Sequence, residues 1–233
     1  MLLPGPLKNI FRGGRGDAAP SGPSPAKPSR STSARGGAGA VSTRPSRGLE
    51  EFFNYIRGQS GLTILDLGGA TQQNVSFITN LGHRLYSEDF LRILRETFGE
   101  DGGMEQQSNP GQIEYFLRQA LDYPEGQFDG VLVWDVLEYL SPALLAAVID
   151  RLHKIVRPKS YMLAFFHSDD KLDAVPSYTF RIQEVNSLQL AQHGMRKPAQ
   201  LFNNRSLEKL FTRYESVKFF LTRERLREVI VKV

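Results

Sequence analysis

Four short stretches of the sequence carry side chains that could do chemistry together. Asp66-Leu67-Gly68-Gly69-Ala70 closes one apolar run and Glu88-Asp89 closes a second. Trp134-Asp135-Val136-Leu137-Glu138-Tyr139 follows a third, and His167 follows a fourth. Small residues after a strand let a ligand lie against the backbone. An acid roughly 20 residues further on can accept both hydroxyls of a ribose, and Glu88 and Asp89 stand 22 and 23 residues after Asp66. Glu138, Tyr139 and His167 are the groups placed to take a proton from a nucleophile, with Tyr178 as a further candidate. The spacing therefore points to a nucleoside-binding site with a general base beside it.

Other chemistries are excluded or unsupported. The chain has no cysteine, so it has no zinc-thiolate site, disulfide or thiol nucleophile. His83, His153, His167 and His193 show no metal-ligand spacing, and no metal is expected. Neither a Gly-Lys-Ser/Thr phosphate loop nor a Gly-x-Ser-x-Gly elbow is present. Each singled-out residue also has a plainer reading. Asp66 could cap the helix that follows, Glu88 and Asp89 could open a helix where acids suit the macrodipole, and Trp134 could be core. Their joint spacing along alternating elements is what favours a ligand site.

Those elements follow from periodicity. Leu49, Phe52, Phe53 and Ile56 share a helical face. The run from Leu62 to Leu67 reads as a buried strand, Gln73 to Leu81 as a helix ended by Gly82 in a left-handed cap, and Arg84 to Ser87 as a second strand. A helix over 90–98, a polar loop over 99–111 and a weak third strand over 113–117 follow. Phe128 to Trp134 is a strong fourth strand. Ser141-Pro142 opens a helix that Pro158 stops, and Tyr161 to Phe166 is a fifth strand. Ser177 to Gln192 reads as a hairpin turning at Glu184-Val185-Asn186, inside an insert over about 170–205 that covers the site. A short helix over 205–211 precedes two antiparallel strands, 217–221 and 229–233. The expected fold is α/β, a doubly wound, mostly parallel seven-stranded sheet with an antiparallel last strand. Ligands bind such sheets at the carboxyl ends of the strands, where the strand order reverses.

From about Leu49 to Val233 the chain resembles the class I S-adenosylmethionine-dependent methyltransferases. The resemblance is carried by Ile64-Leu65-Asp66-Leu67-Gly68-Gly69-Ala70, by Gly82-His83-Arg84-Leu85-Tyr86-Ser87-Glu88-Asp89, and by Phe128-Asp129-Gly130-Val131 with Asp135-Val136-Leu137-Glu138-Tyr139-Leu140. The turn Leu152-His153-Lys154-Ile155-Val156-Arg157-Pro158 and the terminal strand pair complete it. The resemblance implies S-adenosylmethionine as cofactor and a methyl acceptor of unidentified class as partner. It implies that Asp66 orients the methionine ammonium while Gly68, Gly69 and Ala70 pass under the ligand. Asp89, or Glu88 one residue earlier, holds the ribose. Trp134 and Asp135 lie beside the methionine and the transferred methyl. The chain departs from the family pattern at Ala70 and Gln72, where glycine is usual, and at Pro158-Lys159-Ser160. The acid expected after strand three has Asp122 as its nearest counterpart, with Arg118 close by. A methyltransferase-fold binding module without turnover, and a dinucleotide-dependent oxidoreductase, are the alternatives; Gln73 in place of the third fingerprint glycine disfavours the latter.

The formal charge of +4 is unevenly placed: residues 1–48 carry +7 and the remainder −3. With nine Gly, seven Pro and seven Ser, the first 48 residues lack the apolar surface to fold. Residues 1–47 are expected to be a disordered basic tail touching anionic partners weakly, and 48–233 a methyltransferase-like domain. No apolar run is long enough to span a membrane. The expected location is cytoplasmic, with the Arg- and Ser-rich start also compatible with mitochondrial targeting.

Overall fold

The computed structural model describes residues 39–100, 103–168, 172–222 and 225–233. In chain order the elements are β1 (Val41–Pro45), α1 (Arg47–Ile56), β2 (Thr63–Asp66), α2 (Gln72–Asn80), β3 (Arg84–Ser87) and α3 (Phe90–Phe98). There follow α4 (Pro110–Ala120), β4 (Phe128–Trp134), α5 (Pro142–Ile155), β5 (Val156–His167), β6 (Val175–Glu184) and β7 (Ser187–Arg196). The chain closes with α6 (Asn204–Leu210), β8 (Ser216–Leu221) and β9 (Leu226–Lys232).

Six strands form the main sheet in the order β3-β2-β4-β5-β9-β8. The pairs β2–β3, β2–β4 and β4–β5 are parallel, while β9 runs antiparallel to both neighbours. The order reverses between β2 and β4, so the switch point lies where Asp66 and Trp134 end their strands. One face of the sheet packs on α3, α4, α5 and α6 through residues such as Phe90, Phe116, Leu144 and Leu207. The other packs on α1 and on a second sheet, β1-β7-β6, through Phe52, Phe165, Phe180 and Leu188.

The local signals act as the residue types dictate. Ser46, Thr71, Asp89 and Ser141 each cap a helix by accepting a backbone N–H. Gly82 follows α2 at φ +83°, the conformation expected of its cap. The hairpin turns between Glu184 and Ser187, as its alternation indicates.

Two expectations are corrected. The third strand expected over 113–117 is the middle of α4, and the main sheet has six strands among the described residues rather than seven. Asn109 caps that helix and Pro110 occupies its first turn. Phe116 and Ala120 are buried one helical turn apart, and this outweighs the strand-like alternation of Ile113, Tyr115 and Leu117. The tail boundary at residue 47 also moves. Val41–Pro45 pairs antiparallel with β7, although only Arg44 of this strand is buried. Composition averaged over a Gly/Pro/Ser-rich stretch hides a strand whose partner lies far along the chain. The earlier part of the tail, with its targeting and anionic-partner readings, lies outside the described residues. No helix of the described residues is long and apolar enough to cross a membrane.

Arg44 is buried because Glu228 of β9 is: its guanidinium is hydrogen-bonded to the Glu228 carboxylate. The other Glu228 oxygen accepts from Ser46 Oγ at 3.0 Å and from the Gly48 backbone N–H at 2.5 Å. This cluster ties β1 and the start of α1 to the main sheet. Removing one partner of a buried ion pair leaves an uncompensated charge, a loss of about 3–5 kcal/mol. Arg44→Met is therefore expected to lower the urea-unfolding free energy by roughly 3 kcal/mol, measured on the full chain at pH 7.

Candidate active site

The site is built around a carboxylate that faces inward. Asp66 is fully buried. Its Oδ1 accepts from Trp134 Nε1 at 2.6 Å and from the Gly68 N–H at 2.8 Å, and its Oδ2 accepts from Asn74 Nδ2 at 3.1 Å. Burial pushes its pKa up, and these three donors pull it part of the way back. Trp134 reaches Asp66 because the end of β4 is irregular: the register against β5 shifts between Leu132 and Trp134, and Trp134 adopts φ +57°. Bulges re-aim side chains in this way, and a non-glycine residue in that region stores roughly 1–3 kcal/mol of strain. The indole then lies against Gly68, where an added Cβ would come within 2.6 Å of Trp134 Cδ1. Its other neighbours are Phe180 and Phe165, both stacked, at ring-centroid distances of 5.0 and 5.7 Å.

Above this floor is a cavity of about 280 Å³, walled by Gly68, Asp89, Leu91, Trp134, Asp135 and Phe180 among others. Asp89 caps α3 by accepting the Arg92 N–H at 3.0 Å, yet its side chain stays half exposed. Asp135 is buried, and among the described residues its Oδ2 has no hydrogen-bond partner. Burial, helped by the nearby Glu138 carboxylate, raises the Asp135 pKa to about 7.

Behind the cavity is a Glu–His pair. Glu138 is fully buried and accepts from the His167 N–H at 2.7 Å, with its other oxygen 2.6 Å from His167 Nδ1. That contact places the imidazole proton on Nδ1 and leaves Nε2 as an acceptor. Among the described residues Nε2 has no partner, and the ring stacks near Tyr178. Burial pushes the Glu138 pKa up, against the pull of His167. Tyr139 also carries a buried hydroxyl without a partner among the described residues, and the Arg196 guanidinium sits 5.0 Å from its ring centroid. Burial raises the Tyr139 pKa, so the phenol stays protonated.

The structure thus brings Gly68, Asp89, Trp134 and Asp135 to one cavity, with Glu138, Tyr139 and His167 on the segments beside it. Asp66 lies beneath this cavity rather than in its wall, with both carboxylate oxygens hydrogen-bonded to Trp134, Gly68 and Asn74. Glu88 turns away to bond the Tyr123 hydroxyl. Gly69 adopts φ +82°, and its N–H donates to the Glu88 carbonyl at 3.0 Å. Ala70 and Gln72 are exposed, and Gln72 bonds Ser76 rather than the cavity. Asp122 lies beside Arg151 at 4.0 Å. Asn74 and Phe180 carry roles that the sequence reading missed. Besides Asp66, the Asn74 amide bonds the Phe180 carbonyl at 3.1 Å and the Ile182 N–H at 2.9 Å, fastening the hairpin over the site. The signal that could have found it is an asparagine one turn into the helix that follows the glycines.

Comparison with known proteins gives the family. The family model described as "Methyltransferase domain" matches residues 39–215. The chain belongs to this methyltransferase family, and its fold is the Rossmann-like fold expected from the sequence. The match sets aside the oxidoreductase alternative. No curated protein matches. Similar solved structures include a SAM-dependent methyltransferase from Methanosarcina mazei, at 16% identity and TM-score 0.47, covering 77% of this chain and 95% of that one. Another is the 1,6-didemethyltoxoflavin-N1-methyltransferase of Burkholderia thailandensis with bound S-adenosylhomocysteine, at 13% identity and TM-score 0.42, covering 79% and 76%. A SAM-dependent methyltransferase from Archaeoglobus fulgidus has 16% identity and TM-score 0.46, covering 79% and 91%.

The raised Asp135 pKa makes stability depend on pH with a definite sign. In the unfolded chain an Asp titrates near 3.9, whereas the folded value is about 7. Asp135's contribution is whole below about pH 4 and is lost as pH rises to about 7, because there only the unfolded state has shed its proton. Urea unfolding is expected to show stability falling by about 1 kcal/mol per pH unit between pH 5 and pH 7 from this group, with a flatter profile in Asp135→Asn.

Proposed function

We propose that this methyltransferase takes its methyl group from S-adenosylmethionine, held in the cavity between Gly68, Asp89 and Asp135, and passes it to a small acceptor. The observation that carries the reading is Asp135. Its buried oxygen, without a partner among the described residues and belonging to a residue of the cavity wall at the sheet's switch point, is an acceptor that a cationic ligand would hold ionised. The donor is such a ligand, positive at its sulfonium and at its amino group. Gly68 presents bare backbone on which the ligand would lie, and the half-exposed Asp89 carboxylate would take the ribose hydroxyls.

Bound there, the donor supplies an activated methyl with its own leaving group. The protein's share is to orient, to exclude water and to move a proton. Trp134 and Phe180 form the apolar wall that keeps water out. Asp135 holds the positive end. Glu138 fixes His167 with Nε2 as acceptor, the form in which it would take a proton from a hydroxyl or a protonated amine. Tyr139, held protonated, would donate a hydrogen bond to the acceptor.

One observation favours a second reading, a binding module without turnover: Asp66 is already satisfied by Trp134, Gly68 and Asn74. Incubation of the full chain with methyl-labelled S-adenosylmethionine and a small-molecule extract separates the two. Label transfer is expected, and His167→Gln is expected to slow it about 10²–10⁴-fold while S-adenosylhomocysteine affinity stays within about three-fold. Binding with no label in any pool would favour the module; absence of binding would overturn the donor assignment.

A further inference from the structure

A second cavity, of about 730 Å³, adjoins the first. The two share Leu91, Arg95 and Arg196 in their walls. A space of this size suits a drug-sized molecule. Leu94, Met104 and Met195 give it an apolar side, with Met104 44% and Met195 60% exposed.

The opposite side is cationic. Arg95 is matched by Glu100 at 3.4 Å, but among the described residues neither Arg196 nor Lys197 lies within ion-pair distance of a carboxylate. Arg196 is half-buried over the Tyr139 ring, which holds its planar fork ready for a bidentate contact. Tyr139 lines the same cavity, and its buried hydroxyl has no partner among the described residues. An apolar wall, two cations without a carboxylate in ion-pair distance among the described residues, and the Tyr139 phenol define what would fill the space.

We propose that the methyl acceptor is a small amphipathic anion. Its carboxylate or phosphate lies on Arg196 and Lys197, its apolar body lies on Leu94, Met104 and Met195, and its hydroxyl or amine turns toward the smaller cavity. The acceptor role rests on the assignment of the smaller cavity to the donor; the anion preference of the larger one does not.

The test uses the full chain, with Trp134, its only tryptophan, as a fluorescent reporter of the neighbouring cavity. The probes are 4-hydroxybenzoate, the uncharged 4-hydroxybenzamide of the same shape, and phenyl phosphate, each titrated with S-adenosylhomocysteine present. At least one of the two anions is expected to bind about ten-fold or more tightly than the amide, since charge-assisted hydrogen bonds exceed neutral ones by that margin. Which anion binds better identifies the head group. Arg196→Met is expected to remove the preference. Lys197→Met, on the larger cavity alone and more exposed, is expected to reduce it about three-fold and leave S-adenosylhomocysteine binding unchanged. Equal binding of acid and amide, no binding of any probe, or a preference that survives Arg196→Met would overturn the proposal. An intact anion preference without S-adenosylhomocysteine binding would uphold the anion cleft and overturn the donor assignment instead.

Discussion

The buried carboxylate of Asp66 is the constraint on which the rest of the site depends. An ionised carboxylate without water is tolerated only when donors surround it, and three different segments supply them here. Gly68 fixes the turn after β2. Trp134 fixes the irregular end of β4. Asn74 fixes α2 and, through its remaining bonds, the hairpin. One side chain thus sets the relative positions of the two strands flanking the switch point and of the cover above it. The strained backbone of Trp134 is maintained by this network, since nothing in the residue itself favours a positive φ.

Both Asp66 oxygens are hydrogen-bonded within the protein, and the segment after β4 carries two further carboxyls. Asp135 and Glu138 are three residues apart and both buried, yet their environments differ. Glu138 is answered by two His167 donors, whereas Asp135 Oδ2 has none among the described residues. The first is a positioning group acting through an imidazole; the second is an open acceptor. Two carboxyls with separated environments take separate roles; in the proposed reaction one would orient a base while the other would attract a cation.

Much of this was legible in the sequence because it depends on local patterns. The βα alternation, the cap at Ser141, the helix opening at Asp89, the hairpin turn and the antiparallel last strand follow from residue type and period. The stretches around Gly68, Asp89, Trp134 and Asp135 were found because a doubly wound sheet delivers strand ends to one edge. What failed was non-local. The α4 segment alternates like a strand, and packing of its Phe116 against Phe90 and Phe98 favours the helix that Asn109 and Pro110 begin. β1 exists through its partner β7 and through Arg44 finding Glu228 across the fold. The inward turn of Asp66 and the part played by Asn74 depend on side-chain directions that spacing cannot encode.

The central claim is that the cavity over Gly68 holds the methyl donor, with Asp135 rather than Asp66 meeting its positive end. A crystal structure of the full chain with S-adenosylhomocysteine tests this most directly. The account predicts the thioether between Gly68, Asp89 and Asp135, its amino group on Asp135, and the Trp134–Asp66 hydrogen bond intact. A ligand bound elsewhere, or one that displaces Trp134 and takes Asp66 as its partner, would contradict it.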